Sequence, residues 1–381
     1  MSDNLYFRGM VAASLFRYYV IAGLINTTVF AFLLVTHKKI TSTVILLIGF
    51  MLLISFQALL NAFDSRNFFM NYPNLSRVSW LQLSLVGPLI YLITKKISNG
   101  PGRWEWKDAL HAIPFIVSLG ILFPWFLKPT AEKLQLLHHF DVVSLQDFGW
   151  LNQANLLLII GYILLALWHQ HQYKKALKSV FSDIEKRKLQ WIRQFLYLTL
   201  GVVLISALGF YGRKWDIPVL TNFYHYNYII IVAIVYWLAY KLLTSPDIFW
   251  QMTAIDNPKK YEKSGLREEE LHAIYKSLLQ YMETDKPYLE TDLTIFKLAE
   301  SLKFPRHHLS QAINTKSGKS FYDFINGYRV EEAKRRLKDP GFSNFTIQAV
   351  AFDSGFNSKA TFNAAFSKFA GMTPSAYRKL T

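Results

Sequence analysis

The chain has 381 residues and a net charge of +16, and 52% of its residues are hydrophobic and 16% aromatic. This apolar share exceeds that of an ordinary soluble protein, so the composition predicts a membrane protein. The sequence contains no cysteine, which excludes disulfide bonds, thiol-based redox sensing and cysteine-ligated zinc or iron–sulfur centres.

Charge is distributed unevenly along the chain. Residues 1–245 carry 22 Lys and Arg against 10 Asp and Glu, residues 246–292 carry 6 against 10, and residues 293–381 carry 14 against 6. We therefore predict an outer amino-terminal stretch over 1–10, a membrane domain over 11–245, an acidic connector over 246–292 and a basic domain over 293–381. Asp3 to Gly9 resemble a degenerate viral protease site, so residues 1–9 are treated as a candidate cloning scar.

Seven stretches are long and apolar enough to cross a bilayer, which takes about 20 residues. Their approximate bounds are 14–36, 41–61, 78–94, 109–127, 151–170, 191–211 and 223–243. Pro88 and Pro114 fall inside the third and fourth stretches, which predicts two kinked spans. With the carboxyl terminus inside, the inner loops hold thirteen Lys and Arg and the outer loops six. This bias predicts a multi-pass protein of the bacterial inner membrane, with its amino terminus outside and its basic domain in the cytoplasm.

Polar side chains inside spans are costly and mark candidate functional sites. In this topology they gather in the outer halves of the helices. The set comprises Asn61, Gln82, Asn152, Asn155, His225 and Asn227, accompanied by Trp80, Tyr224 and Tyr226. Two interpretations stay open: the set lines a pocket for a small-molecule or lipid signal, or its amides and hydroxyls only tie the helices together.

Metal and catalytic sites are not predicted. His138, His139 and Asp141, or His169 and His171, are the candidate metal ligands, but neither group has a distinctive spacing. The chain also lacks a glycine-rich phosphate loop and the common hydrolase and metalloprotease motifs. We therefore expect no cofactor and no enzymatic activity.

An amphipathic helix is predicted in the connector, from about Arg267 until Pro287 ends the pattern. Its apolar stripe consists of Leu271, Ile274, Leu278, Leu279 and Met282. The stripe either packs on the following domain or pairs with its copy in a homodimer, and two heptads are too few to predict a coiled coil.

Residues 293–381 contain the same pattern twice. Ile295, Leu298 and Leu302 share one helix face, a turn follows, and a second helix runs from Arg306 to about Lys316, which together form a helix-turn-helix. The pattern recurs at Thr346 to Ala351, with a turn at Gly355 and Phe356 and an N-cap at Asn357 or Ser358. A single helix is predicted between the two units, over 321–337. Its basic side is assigned to Arg329, Lys334, Arg335, Arg336 and Lys338.

Three motifs in this region carry a family resemblance. They run from Phe321 to Lys334 (Phe-Tyr-Asp-Phe-Ile-Asn-Gly-Tyr-Arg-Val-Glu-Glu-Ala-Lys), from Gly355 to Phe362 and from Phe366 to Arg378. In this ordered set the chain resembles the AraC/XylS family of transcription regulators, and its layout is similar to that of seven-span regulators common in Bacteroidetes. The resemblance implies two recognition helices in successive major grooves of double-stranded DNA, about 34 Å apart, and RNA polymerase as a partner if the protein activates.

The resemblance also assigns the base-reading positions. It places His307, Ser310 and Gln311 on the first recognition helix and Lys359 and Thr361 on the second. Glutamine reads adenine and lysine reads guanine. The remaining predicted DNA contacts are Arg306, Asn314, Ser358, Asn363 and Arg336.

The predicted fold is all-α, a seven-transmembrane-helix bundle followed by a cytoplasmic double helix-turn-helix domain. The expected function is that of a one-component transcription factor whose bundle senses a signal and controls DNA binding. Two alternatives stay open: a transporter or lipid-handling protein with an attached DNA reader, and a bundle that serves only as a membrane tether. The polar set lies at the outer ends of the spans with few polar groups at the inner ends, which favours a receptor over a carrier.

Overall fold

A computed structural model describes residues 21–23, 25, 27–29, 42–62, 66–99, 104–138, 150–184, 190–215, 217, 219–220, 230–238, 240–241 and 266–380. Within these ranges the regular structure is helical, and the one β-type pairing is an isolated bridge between Phe181 and Thr294. The chain forms two compact units. The first comprises Met1–Gln170 and Leu189–Ala254, and the second comprises His171–Lys188 and Ile255–Thr381.

Long apolar helices dominate the first unit. The helices are α1 (Ser42–Ala62), α2 (Arg66–Asn71), α3 (Val78–Asn99), α4 (Ile113–Leu127), α5 (Thr130–His138), α6 (Trp150–Val180) and α7 (Gln190–Lys214). Short 3-10 helices cover Pro73–Leu75 and Trp106–Ala112. By length and composition, five helical segments are able to cross a membrane, and they match the second to sixth predicted spans. The predicted spans 14–36 and 223–243 lie largely outside the described residues.

The two prolines of the predicted kinks lie at different places in their helices. Pro88 lies inside α3, as predicted. Pro114 instead lies in the first turn of α4, where its missing N–H has no partner within the helix to lose. Pro114 thus comes just after the 3-10 helix Trp106–Ala112, and the proline in the interior of α4 is Pro124. The kinks at Pro88 and Pro114 stay predictions.

The second unit contains the basic domain and the end of α6. Its further helices are α8 (Glu268–Thr284), α9 (Ile295–Ser301), α10 (Arg306–Ser317), α11 (Phe321–Lys338), α12 (Ile347–Asp353), α13 (Lys359–Ala370) and α14 (Pro374–Lys379), with 3-10 turns at Pro287–Leu289 and Pro340–Phe342. We call α9 with α10 the first helix pair and α12 with α13 the second helix pair.

Each helix pair has its own hydrophobic core, and α11 contributes to both. The first core joins Leu298, Leu309 and Ile313 to Phe321 and Ile325 of α11. The second core joins Val350, Phe356, Phe362 and Phe366 to Val330, Ala333 and Leu337 of α11. The apolar stripe of α8 is buried in the first core through Leu271, Ile274, Leu278 and Met282. Of the two alternatives for this stripe, packing on the following domain is the one that the structure shows.

The segment after α6 was not predicted to belong to this unit. Val180 and Phe181 pack in the first core, and Ile184 is buried as well. Residues 171–188, which the charge pattern assigned to the membrane domain, therefore form part of the compact unit that contains the two helix pairs.

Candidate functional site

The first helix pair is shaped by a cap and a tight turn. The Thr294 hydroxyl accepts a hydrogen bond from the Lys297 amide at 3.3 Å and so begins α9. Lys303 adopts a left-handed conformation with φ of 57°, which ends α9 and allows α10 to cross it. Leu309 and Ile313 bury one face of α10, and the opposite face presents the predicted DNA-contacting side chains.

The predicted contacts of α10 do share that face. Asn314 is exposed, and Ser310 and Gln311 are half-buried. His307 is also half-buried and contacts the His308 ring, with the ring centroids 4.1 Å apart. The Arg306 guanidinium lies over the Phe296 ring, 4.7 Å from its centroid.

The second helix pair has the same construction with a glycine in its turn. Thr346 caps α12 by accepting from the Ala349 amide at 3.1 Å. Gly355 adopts φ of 89° in the turn. Ser358 caps α13 by accepting from the Thr361 amide at 3.1 Å, which confirms one of the two predicted N-caps. Lys359 and Asn363 are exposed on α13.

Thr361 differs from its predicted role. Its side chain is only 3% exposed, and its hydroxyl accepts a hydrogen bond from the Ser358 hydroxyl at 2.9 Å. The family resemblance placed Thr361 with Lys359 among the base-reading positions, but the Thr361 side chain turns toward the core and the cap. We therefore leave it out of the exposed face that could contact bases.

Arg336 also differs from its predicted role as an exposed phosphate contact. Its Nε donates to Glu332 at 2.7 Å, its Nη1 lies 3.7 Å from an Asp353 carboxylate oxygen, and the guanidinium covers the Phe342 ring. Burial alone would raise the pKa of Glu332, but hydrogen bonds from Arg335 and Arg336 outweigh it and lower that pKa. Arg336 therefore joins α11 to α12 through charged partners within the domain.

Arg329 is the clearest correction in this unit. It was assigned to the basic side of α11, yet its side chain is fully buried. Its Nε donates to the Tyr288 carbonyl at 2.7 Å, and Nη2 donates to the Glu290 carbonyl at 2.6 Å. Burial lowers the pKa of Arg329 to about 10, so the guanidinium still carries its charge at neutral pH.

Two further bonds connect Arg329 to the segment after α6. Nη2 donates to the Ser182 hydroxyl at 3.2 Å, and Nη1 donates to the Asn326 side-chain oxygen at 3.3 Å. Asn326 in turn donates to the Ser182 carbonyl at 3.0 Å, and the Ser182 hydroxyl donates to the Leu293 carbonyl at 2.6 Å. We call Ser182, Asn326 and Arg329 the Arg329 cluster. The sequence contains a signal for the burial of Arg329. Arg329 lies four residues after the apolar Ile325 and four before Ala333, so all three share the apolar face of one helix.

The first unit contains a cavity of about 240 Å³. Two of the predicted ligand residues, Trp80 and Asn152, line it. Asn155 is buried and donates to the Trp80 carbonyl at 3.3 Å, so its amide ties two helices together. Gln82 does not line the cavity, and its buried side-chain oxygen has no hydrogen-bond partner among the described residues. The side chain of Asn61 and all of Tyr224, His225, Tyr226 and Asn227 lie outside the described residues.

Metal ligation receives no support from the part of the chain that the structure describes, where no group of three or more His, Asp or Glu is placed to hold an ion. His139 and Asp141 lie outside it. Arg77 is one of the cavity residues that were not predicted from the sequence, where it was counted only as an outer-loop charge.

Known proteins resemble this chain in its carboxyl-terminal part. A helix-turn-helix domain family matches residues 298–380. The raffinose operon transcriptional regulatory protein of Pediococcus pentosaceus is 34% identical over 89 residues, which cover 23% of this chain and 31% of that protein. An uncharacterized HTH-type transcriptional regulator of Staphylococcus aureus strain COL is 33% identical over 91 residues, which cover 24% of this chain and 12% of the relative.

The matched region is thus a small part of these curated relatives. A solved structure of a Listeria innocua protein of unknown function is 28% identical, covering 28% of this chain and 94% of that one, with a TM-score of 0.25. Residues 298–380 of this chain form a helix-turn-helix domain, and the relatives that share it are transcriptional regulators.

Proposed function

We propose that the chain is a membrane-embedded one-component transcription factor. In this proposal a seven-span bundle senses an extracytoplasmic or membrane signal, and two helix-turn-helix units bind double-stranded DNA in the cytoplasm. The second to sixth spans correspond to the five apolar segments of the described residues. A net charge of +8 over residues 293–381, from 14 basic and 6 acidic side chains, suits a partner with a phosphate backbone.

One observation carries the link between sensing and DNA binding, and it concerns α6. Near its start, Asn152, Gln153, Leu156 and Ile159 line the cavity. Its final residues, from His171 onward, and the Ser182 that follows belong to the helix-turn-helix unit. In this proposal α6, a single helix of 31 residues and about 46 Å, transmits a change at the cavity wall to the residues that follow it.

A double-mutant cycle on the full chain tests this link without a known ligand. Ala207→Phe fills part of the cavity, because Ala207 lines it, and Ser182→Ala removes two hydrogen bonds of the Arg329 cluster. We expect Ala207→Phe to change operator affinity about fivefold or more, as allosteric couplings do, and Ser182→Ala to abolish most of that change. Operator binding by the full chain in lipid nanodiscs measures it.

The matched control for this cycle is Ser179→Ala. Among the described residues, the Ser179 hydroxyl bonds to the Ala176 carbonyl of its own helix, at 2.8 Å, so the cavity effect should persist in this variant. Strictly additive effects of Ala207→Phe and Ser182→Ala would contradict the link and favour a bundle that serves only as a tether. A transporter with an attached DNA reader would instead require solute flux through the bundle. The same purified protein, reconstituted into vesicles, allows that flux to be measured.

DNA reading gives a second prediction. Gln311→Ala should relax discrimination at one base pair by about 1–3 kcal/mol, because a glutamine side chain reads adenine through two hydrogen bonds. Arg336→Ala should leave the salt dependence of binding unchanged, since Arg336 pairs with Glu332 and Asp353 within the domain. Selection of operators by both variants, with titrations at several salt concentrations, measures both effects. A salt slope reduced by about one in Arg336→Ala would instead restore Arg336 as a phosphate contact.

A further inference from the structure

The cavity of the bundle has a single charged wall residue within the described part of the chain. Arg77 lines it, and no Asp, Glu or Lys does. The remaining polar wall residues carry amides or hydroxyls and include Gln57, Ser76, Ser79, Asn152 and Gln153. The wall therefore offers a cation and hydrogen-bonding groups, a combination that suits an anion.

The position of Arg77 is built into the fold. Its backbone adopts φ of 66°, a left-handed conformation that a residue with a side chain adopts only at an energetic cost. Its carbonyl accepts the first amides of α3, from Trp80 at 3.1 Å and Leu81 at 3.3 Å. Its guanidinium lies 3.7 Å from the centroid of the Trp125 ring and 5.4 Å from that of Trp80. Two aromatic rings thus hold the cation at the cavity wall.

The ring of Trp125 is itself fixed. Its indole nitrogen donates to the Ser76 hydroxyl at 3.2 Å, and that hydroxyl donates to the Pro73 carbonyl. Trp125 is buried. The guanidinium is consequently oriented by a chain of contacts before any ligand arrives, which reduces the ordering that binding would require.

The rest of the wall is mostly apolar, and its further polar residues are Thr199, Ser206 and Tyr211 of α7. Phe50, Ile54, Leu83, Val86, Ile159, Phe195 and Val202 line it. The polar wall residues outside α7 come from three helix ends. The first end is the start of α3 and the two residues before it, with Ser76, Arg77 and Ser79. The other two are the start of α6, with Asn152 and Gln153, and the last turns of α1, with Gln57. Consecutive spans that alternate in direction bring these helix ends to one side of the bundle. The cavity therefore has a polar, cationic end and a mostly apolar body.

The volume sets the size of a ligand. The volume of about 240 Å³ exceeds the roughly 150 Å³ of an apolar cavity that admits benzene. We propose that the cavity binds a small amphiphilic anion, with its head group on Arg77 and its apolar tail among α1, α3, α6 and α7. This inference names the ligand class of the sensor and rests on the proposed function.

Binding of three probes with one tail tests the charge requirement. Full-length protein in phosphatidylcholine nanodiscs is titrated with radiolabelled octanoate, octanol and octylammonium, with empty nanodiscs subtracted. We expect saturable binding of octanoate and no saturable binding of octylammonium. Octanol should bind at least about tenfold more weakly than octanoate, because a hydrogen bond to a charged group is worth about one decade or more in affinity.

Variants separate the charge of Arg77 from loss of folding. Arg77→Gln should weaken the binding of octanoate about tenfold or more and leave the affinity for octanol unchanged. Arg77→Lys keeps the positive charge and should therefore bind octanoate more tightly than Arg77→Gln does. Lys128→Gln is the matched control, because Lys128 pairs with Glu132 and does not line the cavity, so octanoate affinity should not change. Octanol binding retained in Arg77→Gln demonstrates that the cavity is intact.

The outcomes distinguish this inference from the proposed function. Equal affinities for octanoate and octanol, or an unchanged octanoate affinity in Arg77→Gln, overturn the anion assignment. Octanoate binding without any change in operator affinity supports the ligand class and contradicts the sensor function. An effect of Ala207→Phe on operator affinity in a protein that binds no octanoate supports the sensor function and overturns the ligand class.

A parallel titration in nanodiscs containing phosphatidylglycerol identifies the source of the anion. Competition by the anionic lipid assigns the head group to the membrane, whereas undiminished octanoate binding assigns it to a free carboxylate. Both results support binding of an amphiphilic anion at Arg77.

Discussion

Replacing Arg329 with methionine is expected to lower the free energy of opening of the helix-turn-helix unit by about 3 kcal/mol. The methionine side chain is unbranched and flexible like that of arginine, but it donates no hydrogen bond. The Tyr288 and Glu290 carbonyls therefore lose the donors that Arg329 supplies. These acceptors belong to the backbone and cannot be removed with the arginine, and each unsatisfied buried group costs about 1–3 kcal/mol. Relief from burying a charge offsets part of the loss.

Hydrogen exchange of the full chain measures this effect, because amides in α11 report the free energy of opening. Arg335→Met is the matched control. Arg335 lies on the same helix, is mostly exposed and pairs with Glu332 through its side chain, so its loss should cost at most about 1 kcal/mol. The Ser182 amide, which donates to the Leu293 carbonyl at 3.3 Å, should exchange faster in Arg329→Met only. Equal protection in the two variants would contradict a structural role for the buried guanidinium.

Gly355→Ala is expected to have an effect of similar or larger size, about 3–4 kcal/mol. The left-handed backbone of Gly355, with φ of 89°, costs a residue with a side chain about 1–2 kcal/mol. The added Cβ would lie 2.3 Å from the Tyr288 carbonyl oxygen and 3.0 Å from both Leu289 Cα and Arg329 Nε. Since that oxygen is the acceptor of the Arg329 Nε bond, overpacking of about 1–3 kcal/mol adds to the backbone strain.

Gly371→Ala separates these two contributions. Gly371 has φ of 71°, and a Cβ built on it meets nothing within 4 Å. It should therefore show the backbone strain alone, about 1–2 kcal/mol. Exchange protection of α11 and α13 in both variants gives the comparison. Equal losses at the two positions would contradict the close contact between Gly355 and the Tyr288 carbonyl.

Helices and their ends in the second unit were largely predictable from the sequence. The bounds of α10 and α11 agree with the predicted ones within a residue or two, and Ser358 is the N-cap of α13. The apolar stripe of α8 faces a core, as its spacing indicated. These features depend on residues three or four positions apart and on side chains that bond to nearby amides, so local sequence is sufficient to determine them.

Side-chain roles were less predictable where burial depends on distant segments. The family resemblance placed Thr361, and the basic side of α11 placed Arg336, on a DNA-facing surface. The Ser358 cap buries Thr361, and two carboxylates pair with Arg336. Arg77 was one outer-loop charge among six until the fold brought Trp125 over its guanidinium. Charge and periodicity describe a residue's own element and carry no information on which ring or carboxylate will approach it.

The sequence by itself determined an apolar, cysteine-free chain with membrane-length helices and a basic carboxyl-terminal helix-turn-helix domain, because composition and short-range spacing set these properties. Only the tertiary structure decided that residues 171–184 belong with that domain and that Arg329 is buried. Arg329 and Ser182 are 147 residues apart in the chain, and no periodicity links positions so distant. Their bond exists because burying a guanidinium requires acceptors, and the fold supplies them from three separate segments.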